Sequence, residues 1–449
     1  MFDYPAALRY LYSLPNWEAA PADGRPRQDL ARPARLFALL GVAEPPYPTV
    51  IVAGTNGKGS TAAMLASILC AAGYRVGLYT QPHLHTYRER IQIDRQLITP
   101  DQFAAGLERV RAGIAALAAA APELGPVTTY EAATALALLH FAAEGVDVAV
   151  LEVGLGGRLD ATNVAPAIVS VLTPIALDHT EVLGDTVAAI AAEKAAVIKP
   201  GGIAVCAPQA PEALAVIEQT AAARGAELRL VDDGQAAMPP GTRPAARREG
   251  DRIVGRRATY AGLRLGLVGA HQWTNATVAV AAAEALVDRG LAVPPAAVAD
   301  GLARVQWPGR LEVLTAGPPP VVADGAHNPA GAAALAAALT QHFPATRRLL
   351  VLGVSADKDV DGILTALAPV VARVYATAAR HPRAAPRERV ARAARARGLP
   401  VQTIPDVAAA IRHAQLQRGT NDLVCVAGSL YVVAEARVAF GLAPEVDPL

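Results

Sequence analysis

Short runs of apolar residues recur along the chain, and each is followed by an alanine-rich stretch with helical spacing. Runs that are apolar throughout are typical of buried parallel strands, and their alternation with helices predicts a sheet covered on both faces. The first half contains runs at residues 49–53, 75–80, 147–153, 167–172 and 202–207. The second half contains runs at residues 311–314, 321–324, 348–354, 373–377, 401–404 and 422–427. The pattern predicts an α/β protein with two sheets in series.

The region between these two series has a different pattern. Residues 232–262 are rich in Arg, Gly and Pro and show little periodicity, whereas residues 269–288 return to a long alanine-rich helical pattern. A proline-containing stretch, 291–308, then precedes the second series. We place the domain boundary near Trp307, which predicts a larger domain at 1–306 and a smaller Rossmann-like α/β domain at 307–449. A length of 449 residues fits two domains.

Composition narrows the class of protein. Hydrophobic residues make up 53% of the chain and charged residues 18%, which excludes a disordered chain. The 41 Lys and Arg residues balance 40 Asp and Glu, so no overall charge favours nucleic acid or a membrane surface. Cys70, Cys206 and Cys425 are too sparse for a disulfide framework or a zinc cluster. With no signal peptide pattern and no run of ~18 apolar residues, we expect a cytoplasmic protein.

A glycine-rich loop directly follows the first strand and begins a helix. It reads Gly54, Thr55, Asn56, Gly57, Lys58, Gly59, Ser60. A strand, such a loop and a helix N-terminus together bind phosphate, Lys58 can reach the β and γ phosphates, and Ser60 can bind Mg²⁺. The strict P-loop pattern is not met, because Val52 replaces its first glycine and Gly59 separates the lysine from the hydroxyl residue. The alternative is a glycine-rich turn with a solvated lysine.

Other chemical groups follow later strands of the first series. Glu152 lies at the end of one run, where ligands collect in a parallel sheet, and it can hold Mg²⁺, although an N-cap or surface charge is the alternative. His179, beside Asp178, follows the next run; a hydrogen-bonded structural histidine is the alternative. Lys194 lies in an apolar helical segment, where a snorkelling or paired lysine is the plain interpretation.

The second series also has polar strand ends. Asp324 and His327 follow one strand, residues 357–359 follow another, and Ser429 follows a third. Each of these strand ends is weak evidence for a site by itself. Together, in one parallel sheet, they predict a second rim of residues that bind ligand. The arginine-rich stretch from Arg373 to Arg397 lacks interleaved aromatic residues, which favours a solvated helix face over RNA binding.

Taken together, the segments resemble the folylpolyglutamate synthase and dihydrofolate synthase family, relatives of the Mur ligases. The resemblance covers nearly the whole chain. Its motifs are GTNGKGS at 54–60, PHL at 82–84, TYEAAT at 129–134, EVGLGGRLDATN at 152–163, LDHTEVLGDT at 177–186, EKAAVIKPG at 193–201, GAHQWTNA at 269–276, PGRLE at 308–312 and DGAHNP at 324–329.

The resemblance implies an ATP-dependent ligase that joins L-glutamate to dihydropteroate and to reduced folates through an acyl phosphate. It implies two Mg²⁺ ions, held by Ser60, Glu152 and His179. Lys194 matches the lysine that is carbamylated in the family, while carbamylation here and a monovalent-cation requirement stay open. The expected partners are small molecules, with no nucleic acid and no membrane, and we expect a monomer.

The resemblance also assigns binding roles. It implies ATP contacts by the loop and by Asn275, Arg310 and Asp324. It implies glutamate contacts by His327 and Ser429, and a pterin pocket at Tyr130 and Asp160. The expected catalytic residues are Lys58, Glu152, His179, Lys194, Asp324 and His327.

The sequence departs from the family pattern before the PHL motif. The family usually has a serine there that ligates metal, and this chain has Gln81. Its amide oxygen could bind a hard cation, or Thr80 or water could substitute, so Gln81 is an open candidate ligand. Ala196 replaces a family glycine, which we expect to alter packing only.

Three alternatives remain to a bifunctional enzyme. The first is a monofunctional folylpolyglutamate synthase, which the sequence does not separate from it. The second is a Mur-type peptide ligase; against it stand the QPHL segment and the 53 residues before Gly54, too few for an extra UDP-binding domain. The third is a catalytically silent nucleotide-binding scaffold, disfavoured by the joint presence of Lys58, Glu152, His179 and Asp324.

Overall fold

The computed structural model describes residues 2–16, 29–234, 238, 242–315, 317 and 320–447. The chain divides into two compact units. The first unit comprises residues 1–83, 87–264 and 275–304, and the second comprises 84–86, 265–274 and 305–449. The second unit therefore takes in two short segments that the sequence prediction placed in the larger domain.

The first unit is built on one large mixed sheet. Its described strands are β1 (Thr49–Ala53), β2 (Val76–Tyr79), β3 (Ile91–Ile93), β4 (Gln96–Leu97), β5 (Val148–Glu152), β6 (Ala167–Leu172), β7 (Ile203–Cys206), β8 (Glu227–Asp232), β9 (Ala246–Glu249), β10 (Arg252–Gly255) and β11 (Thr259–Tyr260). Their order is β11-β10-β9-β8-β7-β6-β1-β5-β2-β3-β4. The central strands, β9-β8-β7-β6-β1-β5-β2 in sheet order, pair parallel with one another. The strands at the two sides, β10 and β11 on one and β3 and β4 on the other, pair antiparallel. The central position of β1 places the loop that follows it in the middle of the sheet's carboxyl edge.

Helices connect and cover these strands. They are α1 (Tyr4–Ser13), α2 (Ala31–Leu39), α3 (Lys58–Ala71), α4 (Pro100–Ala120), α5 (Thr129–Ala143), α6 (Thr180–Leu183), α7 (Val187–Ala195), α8 (Pro211–Ala223), α9 (Ala270–Val287) and α10 (Pro295–Arg304). The first five residues of α9 are assigned to the second unit and the rest to the first.

Helix α3 is buried on all sides. Every residue from Gly59 to Leu69 is buried, as expected for a helix that is apolar all round. Helix α10 packs closely against it, since a Cβ added at Gly301 would lie 2.5 Å from the Ile68 Cα atom. The Ser67 hydroxyl donates to the Gly301 carbonyl at 2.7 Å. A glycine inside a helix costs about 1 kcal/mol relative to alanine, and here it permits this approach of two backbones.

The second unit contains a smaller sheet. Its strands are β12 (Glu312–Thr315), β13 (Val321–Asp324), β14 (Arg348–Leu352), β15 (Arg373–Ala376), β16 (Val401–Thr403) and β17 (Leu423–Ala427), in the order β12-β13-β17-β14-β15-β16. Among these strands β12 alone pairs antiparallel. The unit's remaining helices are α11 (Pro329–His342), α12 (Val360–Leu367), α13 (Arg387–Ala396), α14 (Val407–Gln417) and α15 (Leu430–Ala439). Alternate residues of β14, such as Leu350 and Val351, enter separate apolar clusters on the two sheet faces.

The predicted fold class is confirmed, because each apolar run corresponds to an observed strand. The sequence did not predict β3, β4 or β8 to β11. Of these, β9, β10 and β11 lie within residues 232–262. Each of these strands contributes one buried residue, respectively Ala246, Ile253 and Tyr260, which is too few to give a periodic signal. No helix in the described part of the chain has the length and apolar character needed to cross a membrane.

Candidate active site

The loop at residues 54–60 joins the buried strand β1 to the N-terminus of α3. Gly57 is the N-cap of α3 in the left-handed region, with φ +87°, and no side chain caps the helix there. A Cβ at Gly57 would lie 2.3 Å from Oδ1 of Asn275, a residue of α9 that is 4% exposed. Glycine is required both by the backbone conformation and by Asn275. The structure therefore places Asn275 against the loop.

The first half of the loop is anchored to the segment after β6. A Cβ at Gly54 would lie 1.9 Å from the Thr173 hydroxyl oxygen. The Thr55 and Asn56 amides both donate to the Pro174 carbonyl, at 3.0 and 3.2 Å. These two amides are thus engaged within the protein. The donors for an anion come instead from the first turn of α3, whose amides have no intrahelical acceptor and carry the positive end of the helix dipole.

Lys58 and Ser60 belong to that first turn. The Lys58 ammonium donates to the Thr55 carbonyl at 3.3 Å, so its side chain curls back over the loop. Ser60 is 2% exposed. The charge and the hydroxyl lie on the same helical turn as the uncapped amides, which is the arrangement expected for binding a phosphate chain.

Glu152 lies at the carboxyl end of β5, in register with Val52 of β1. It is 4% exposed, and its Oε2 accepts a hydrogen bond from the Gln81 main-chain amide at 3.0 Å. Gln81 follows β2, the neighbour of β5 on the other side. The structure therefore brings the loop, Glu152 and Gln81 to adjacent strand ends, as the parallel order predicts.

His179 follows β6, on the opposite side of β1, and caps α6. Its φ of +50° is uncommon for a residue other than glycine. The Asp178 carboxylate accepts from the His179 main-chain amide at 2.9 Å, which stabilises this turn. The histidine thus belongs to the same sheet edge as Glu152, one strand beyond β1.

A buried amine lies in the last turn of α7. Lys194 is 5% exposed, and its burial lowers its pKa to about 7, with the charge of Lys58 acting in the same direction. Asp178, Asp160 and Glu193 act in the opposite direction. A Cβ at Gly157 would lie 3.2 Å from the Lys194 Cα atom, so the glycine-rich loop after β5 passes directly over this lysine. The lysine is therefore partly neutral near pH 7 and lies close to the charge of Lys58.

Asp160 holds that glycine-rich loop together. Its Oδ1 accepts from the Tyr130 hydroxyl at 2.8 Å and from the amide and hydroxyl of Thr162 at 2.9 and 2.6 Å. Its Oδ2 accepts from the amides of Gly154 and Leu155 at 2.9 and 3.2 Å. Burial raises the pKa of Asp160, against hydrogen bonds from Thr162 and Tyr130 that lower it. Both carboxylate oxygens are engaged within the protein, so Asp160 positions the loop and Tyr130.

Replacing Asp160 by asparagine is expected to lower the free energy of unfolding by about 2–4 kcal/mol, because an amide group must turn its NH₂ toward two or three of these donors. Tyr130→Phe is the matched control and should cost about 1 kcal/mol, since it removes the bond to Asp160 and a contact from the Gly154 amide, which keeps Asp160 as its acceptor. Urea denaturation of the three proteins measures both values. Equal losses in the two variants would contradict this role of Asp160.

The donor set of the first unit suits a hard divalent cation. The Ser60 hydroxyl and the Glu152 carboxylate supply oxygen atoms, which Mg²⁺ prefers. Within the described residues no group of three His, Cys, Asp or Glu side chains is arranged to hold a metal by itself. The Gln81 amide oxygen, an open candidate, accepts from the Arg90 guanidinium at 3.2 Å. A cation at this oxygen would lie next to the positive charge of Arg90, which opposes its binding.

In the second unit, Asp324 lies at the end of β13 and is 7% exposed. Its carboxylate accepts from the amides of Leu311 and Ala326, both at 2.8 Å. It therefore holds the start of β12 and the loop after β13 in place. Arg310 precedes Leu311, and a Cβ at Gly325 would lie 2.3 Å from the Arg310 Nη1 atom. The structure thus places Arg310 and Asp324 in one cluster.

His327 and Ser429 lie at neighbouring strand ends of the same sheet. His327 Nδ1 is 2.8 Å from the Gly325 carbonyl, which only accepts, so Nδ1 carries a proton and donates it to this carbonyl. Ser429 is the N-cap of α15 directly after β17, and it accepts from the Tyr431 amide at 3.1 Å. Strands β13, β17 and β14 are adjacent, so the predicted polar ends do form one rim of this sheet.

Two residues of these clusters were not singled out from the sequence. His271 interacts electrostatically with Asp324 and Arg310, while its burial lowers its pKa. It lies inside the GAHQWTNA motif, which is the signal that could have identified it. Arg90, which holds Gln81, lies among several arginines after the PHL motif, and no local pattern distinguishes it.

Comparison with known proteins finds a matching domain family for each of the two units. Residues 52–283 match the Mur ligase middle domain, and residues 309–430 match the Mur ligase glutamate ligase domain. The dihydrofolate synthase/folylpolyglutamate synthase of Bacillus subtilis is 35% identical over 415 residues, covering 91% of this chain and 94% of that protein. The E. coli FolC structure in complex with DHPP and ADP superposes with a TM-score of 0.84 at 33% identity, covering 97% of each chain.

A Yersinia pestis structure gives the same result. That bifunctional folylpolyglutamate synthase/dihydrofolate synthase, complexed with AMPPNP and Mn ion, has a TM-score of 0.84 at 32% identity and covers 98% of this chain and 99% of its own. The resemblance seen in the motifs is therefore confirmed, and it extends over nearly the whole length of this chain and of each relative. The chain belongs to the dihydrofolate synthase/folylpolyglutamate synthase family of Mur-type ligases.

Proposed function

We propose that the protein is an ATP-dependent ligase that joins L-glutamate to dihydropteroate and to reduced folates. The observation that carries the proposal is the uncapped N-terminus of α3, with Lys58 and Ser60 in its first turn, beside the buried carboxylate Glu152. The names and bound molecules of the relatives support the choice of substrates. The proposal includes an ATP-binding role for residues 1–306 and a glutamate-ligase role for residues 307–449.

The reaction has two steps. An oxygen of the acceptor carboxylate attacks the γ-phosphorus of ATP, and ADP leaves, which gives an acyl phosphate. The amine of L-glutamate then attacks the carbonyl carbon, phosphate leaves, and the amine loses a proton. Both steps develop negative charge on phosphate oxygens, so the protein contributes mainly by positioning and by electrostatic stabilisation.

In the first unit, the amides at the start of α3 and the Lys58 ammonium bind the phosphates. Asn275 lies against Gly57, and we assign it a contact with the nucleotide beside the loop. Ser60 and Glu152 would hold one Mg²⁺ ion, and His179 and Glu152 would hold a second. When bound, Mg²⁺ neutralises phosphate charge and lowers the barrier to attack.

Lys194 is proposed to be carbamylated. Its neutral amine attacks CO₂, a nitrogen–carbon bond forms and a proton is released, which leaves an anionic carbamate. The lowered pKa, about 7, provides the neutral amine that this step needs. The carbamate would replace a positive charge near Lys58 by a negative one, which removes the repulsion between the two lysines.

In the second unit, Arg310 and Asp324 are proposed to bind ATP, and His327 and Ser429 to hold L-glutamate. The hydrogen bond between His327 Nδ1 and the Gly325 carbonyl positions the imidazole ring for this role. A monovalent-cation requirement, the monomeric state and the cytoplasmic location stay predictions from the sequence.

Turnover of defined acceptors tests the proposed function. With Mg²⁺-ATP and L-glutamate, the protein should release phosphate with both dihydropteroate and tetrahydrofolate, and each product should gain one glutamyl unit by mass. Turnover of tetrahydrofolate alone would establish a monofunctional folylpolyglutamate synthase. Turnover of neither acceptor would refute the folate assignment and direct the search to Mur-type peptide substrates.

A further inference from the structure

Gln81 lies between two groups of the candidate site. Its main-chain amide donates to Oε2 of Glu152 at 3.0 Å, which fixes the backbone of residue 81 beside the carboxylate. Its side chain extends between Arg90 and Tyr130. The family motif has serine at this position, so the longer amide is a feature of this chain.

The orientation of the Gln81 amide follows from its partner. Arg90 Nη1 lies 3.2 Å from one end of the amide, and a guanidinium can only donate, so this end is the oxygen. Arg90 is itself held in place, because its Nε donates to His83 Nδ1 at 2.9 Å and its guanidinium lies 4.4 Å from the centroid of the Tyr87 ring. The NH₂ end of the amide therefore points away from Arg90.

The NH₂ end is buried and, within the described part of the chain, has no hydrogen-bond partner at proper geometry. Its contact with the Tyr130 hydroxyl falls outside hydrogen-bond geometry but still lowers the pKa of that hydroxyl, which burial raises. The Tyr130 hydroxyl already donates to Asp160. A buried donor without a partner is uncommon in proteins, and next to a substrate site it marks the position of an acceptor atom.

We propose that Gln81 is not a metal ligand but donates a hydrogen bond to the carboxylate of the acceptor substrate. A cation needs the amide oxygen, but a positively charged guanidinium donates to that oxygen and repels a second cation, and the NH₂ end repels cations as well. An anionic acceptor beside Glu152 needs a donor to offset carboxylate repulsion. Arg90 polarises the amide through its oxygen, which strengthens the N–H as a donor. This inference rests on the proposed function.

Two equilibrium measurements on purified full-length protein separate the two roles. The first is calorimetric binding of dihydropteroate and tetrahydrofolate in the presence of a non-hydrolysable ATP analogue. The second is Mn²⁺ binding with ADP, followed by electron paramagnetic resonance. The variants are Gln81→Met, Gln81→Glu and Gln81→Ser. Gln92→Met is the matched control, because Gln92 lies in the same segment and donates to the Glu89 carbonyl at 2.9 Å.

All three Gln81 variants should bind the acceptors about tenfold more weakly or worse, because each loses a hydrogen bond to a charged group. Gln81→Glu should be the weakest, since it adds a negative charge. Mn²⁺ affinity should stay within about twofold in Gln81→Met, the variant that adds no oxygen ligand, and Gln92→Met should change neither quantity by more than about twofold.

Two outcomes would overturn the inference. One is a tenfold or larger loss of Mn²⁺ affinity in Gln81→Met with acceptor affinity preserved, which is the behaviour of a metal ligand. The other is no change in either quantity. If wild-type protein binds and converts neither acceptor, the proposed function fails, and the Mn²⁺ titration still decides whether Gln81 ligates metal.

Discussion

Lys58→Met is expected to lower kcat for phosphate release by about 10²–10³, the usual effect of removing one preorganised electrostatic group. The Lys58 ammonium lies in the first turn of α3 and is bonded to the Thr55 carbonyl, so it is held over the loop before nucleotide arrives. Its charge matters most when the γ-phosphoryl group is in transfer, because negative charge then spreads over the phosphate oxygens.

Steady-state kinetics with saturating ATP measure this effect, and ADP binding by calorimetry separates it from ground-state affinity. Lys58→Arg is the control, since it keeps the positive charge but replaces the ammonium group by a larger guanidinium. It should retain more activity than Lys58→Met. Urea denaturation should show both variants within about 1 kcal/mol of wild type, because Lys58 is only half buried. A Lys58→Met enzyme with more than about a tenth of wild-type kcat would contradict the assigned role.

Lys194→Met should have opposite effects on activity and on stability. We expect kcat to fall by about 10² or more, because the carbamate proposed at this position is lost. At pH 7 in carbonate-free buffer we expect the free energy of unfolding to rise by about 2–4 kcal/mol, because a methionine of similar length can occupy the buried position without desolvating an amine.

The sign of the pH dependence follows from the pKa of Lys194. It falls from near 10.5 in the unfolded chain to about 7 in the fold, so between these values the unfolded chain binds a proton that the folded protein does not. Wild-type stability should therefore decrease as pH falls from about 10 to 7, by up to about 5 kcal/mol. Urea denaturation at pH 7 and pH 9.5 should show this slope in wild type and a smaller one in Lys194→Met. Equal pH dependences in the two proteins would contradict the lowered pKa of Lys194. Carbamylation is tested separately by ¹³C NMR with ¹³CO₂.

The fold was predictable where the sequence pattern is local. Continuous apolar runs such as β1 and β5 identify buried strands, and a parallel sheet places Glu152 and the loop after β1 at the same edge. The strand order was not predictable, because it depends on pairings between residues far apart in the chain, such as Ala53 with Leu172. Strands β9 to β11 were missed because each buries a single residue.

The candidate site shows the same limit. The motifs identified Glu152 and Asp160, but Gln81 and Tyr130, which donate to them, come from distant segments. The engagement of the Thr55 amide by Pro174 depends on tertiary packing alone. The same is true of the contact from Arg90 to Gln81. Residue types and spacing therefore indicated the chemistry, and the structure was needed to show which atoms are already occupied.

The burial of α3 has a thermodynamic consequence for nucleotide binding. The helix is enclosed from Gly59 to Leu69 and touches α10 backbone to backbone at Gly301. Its N-terminal turn is therefore ordered by the interior of the unit and not by the ligand. Binding then spends little conformational entropy on arranging the phosphate-binding amides, so most of the interaction free energy remains for discriminating between ground state and transition state.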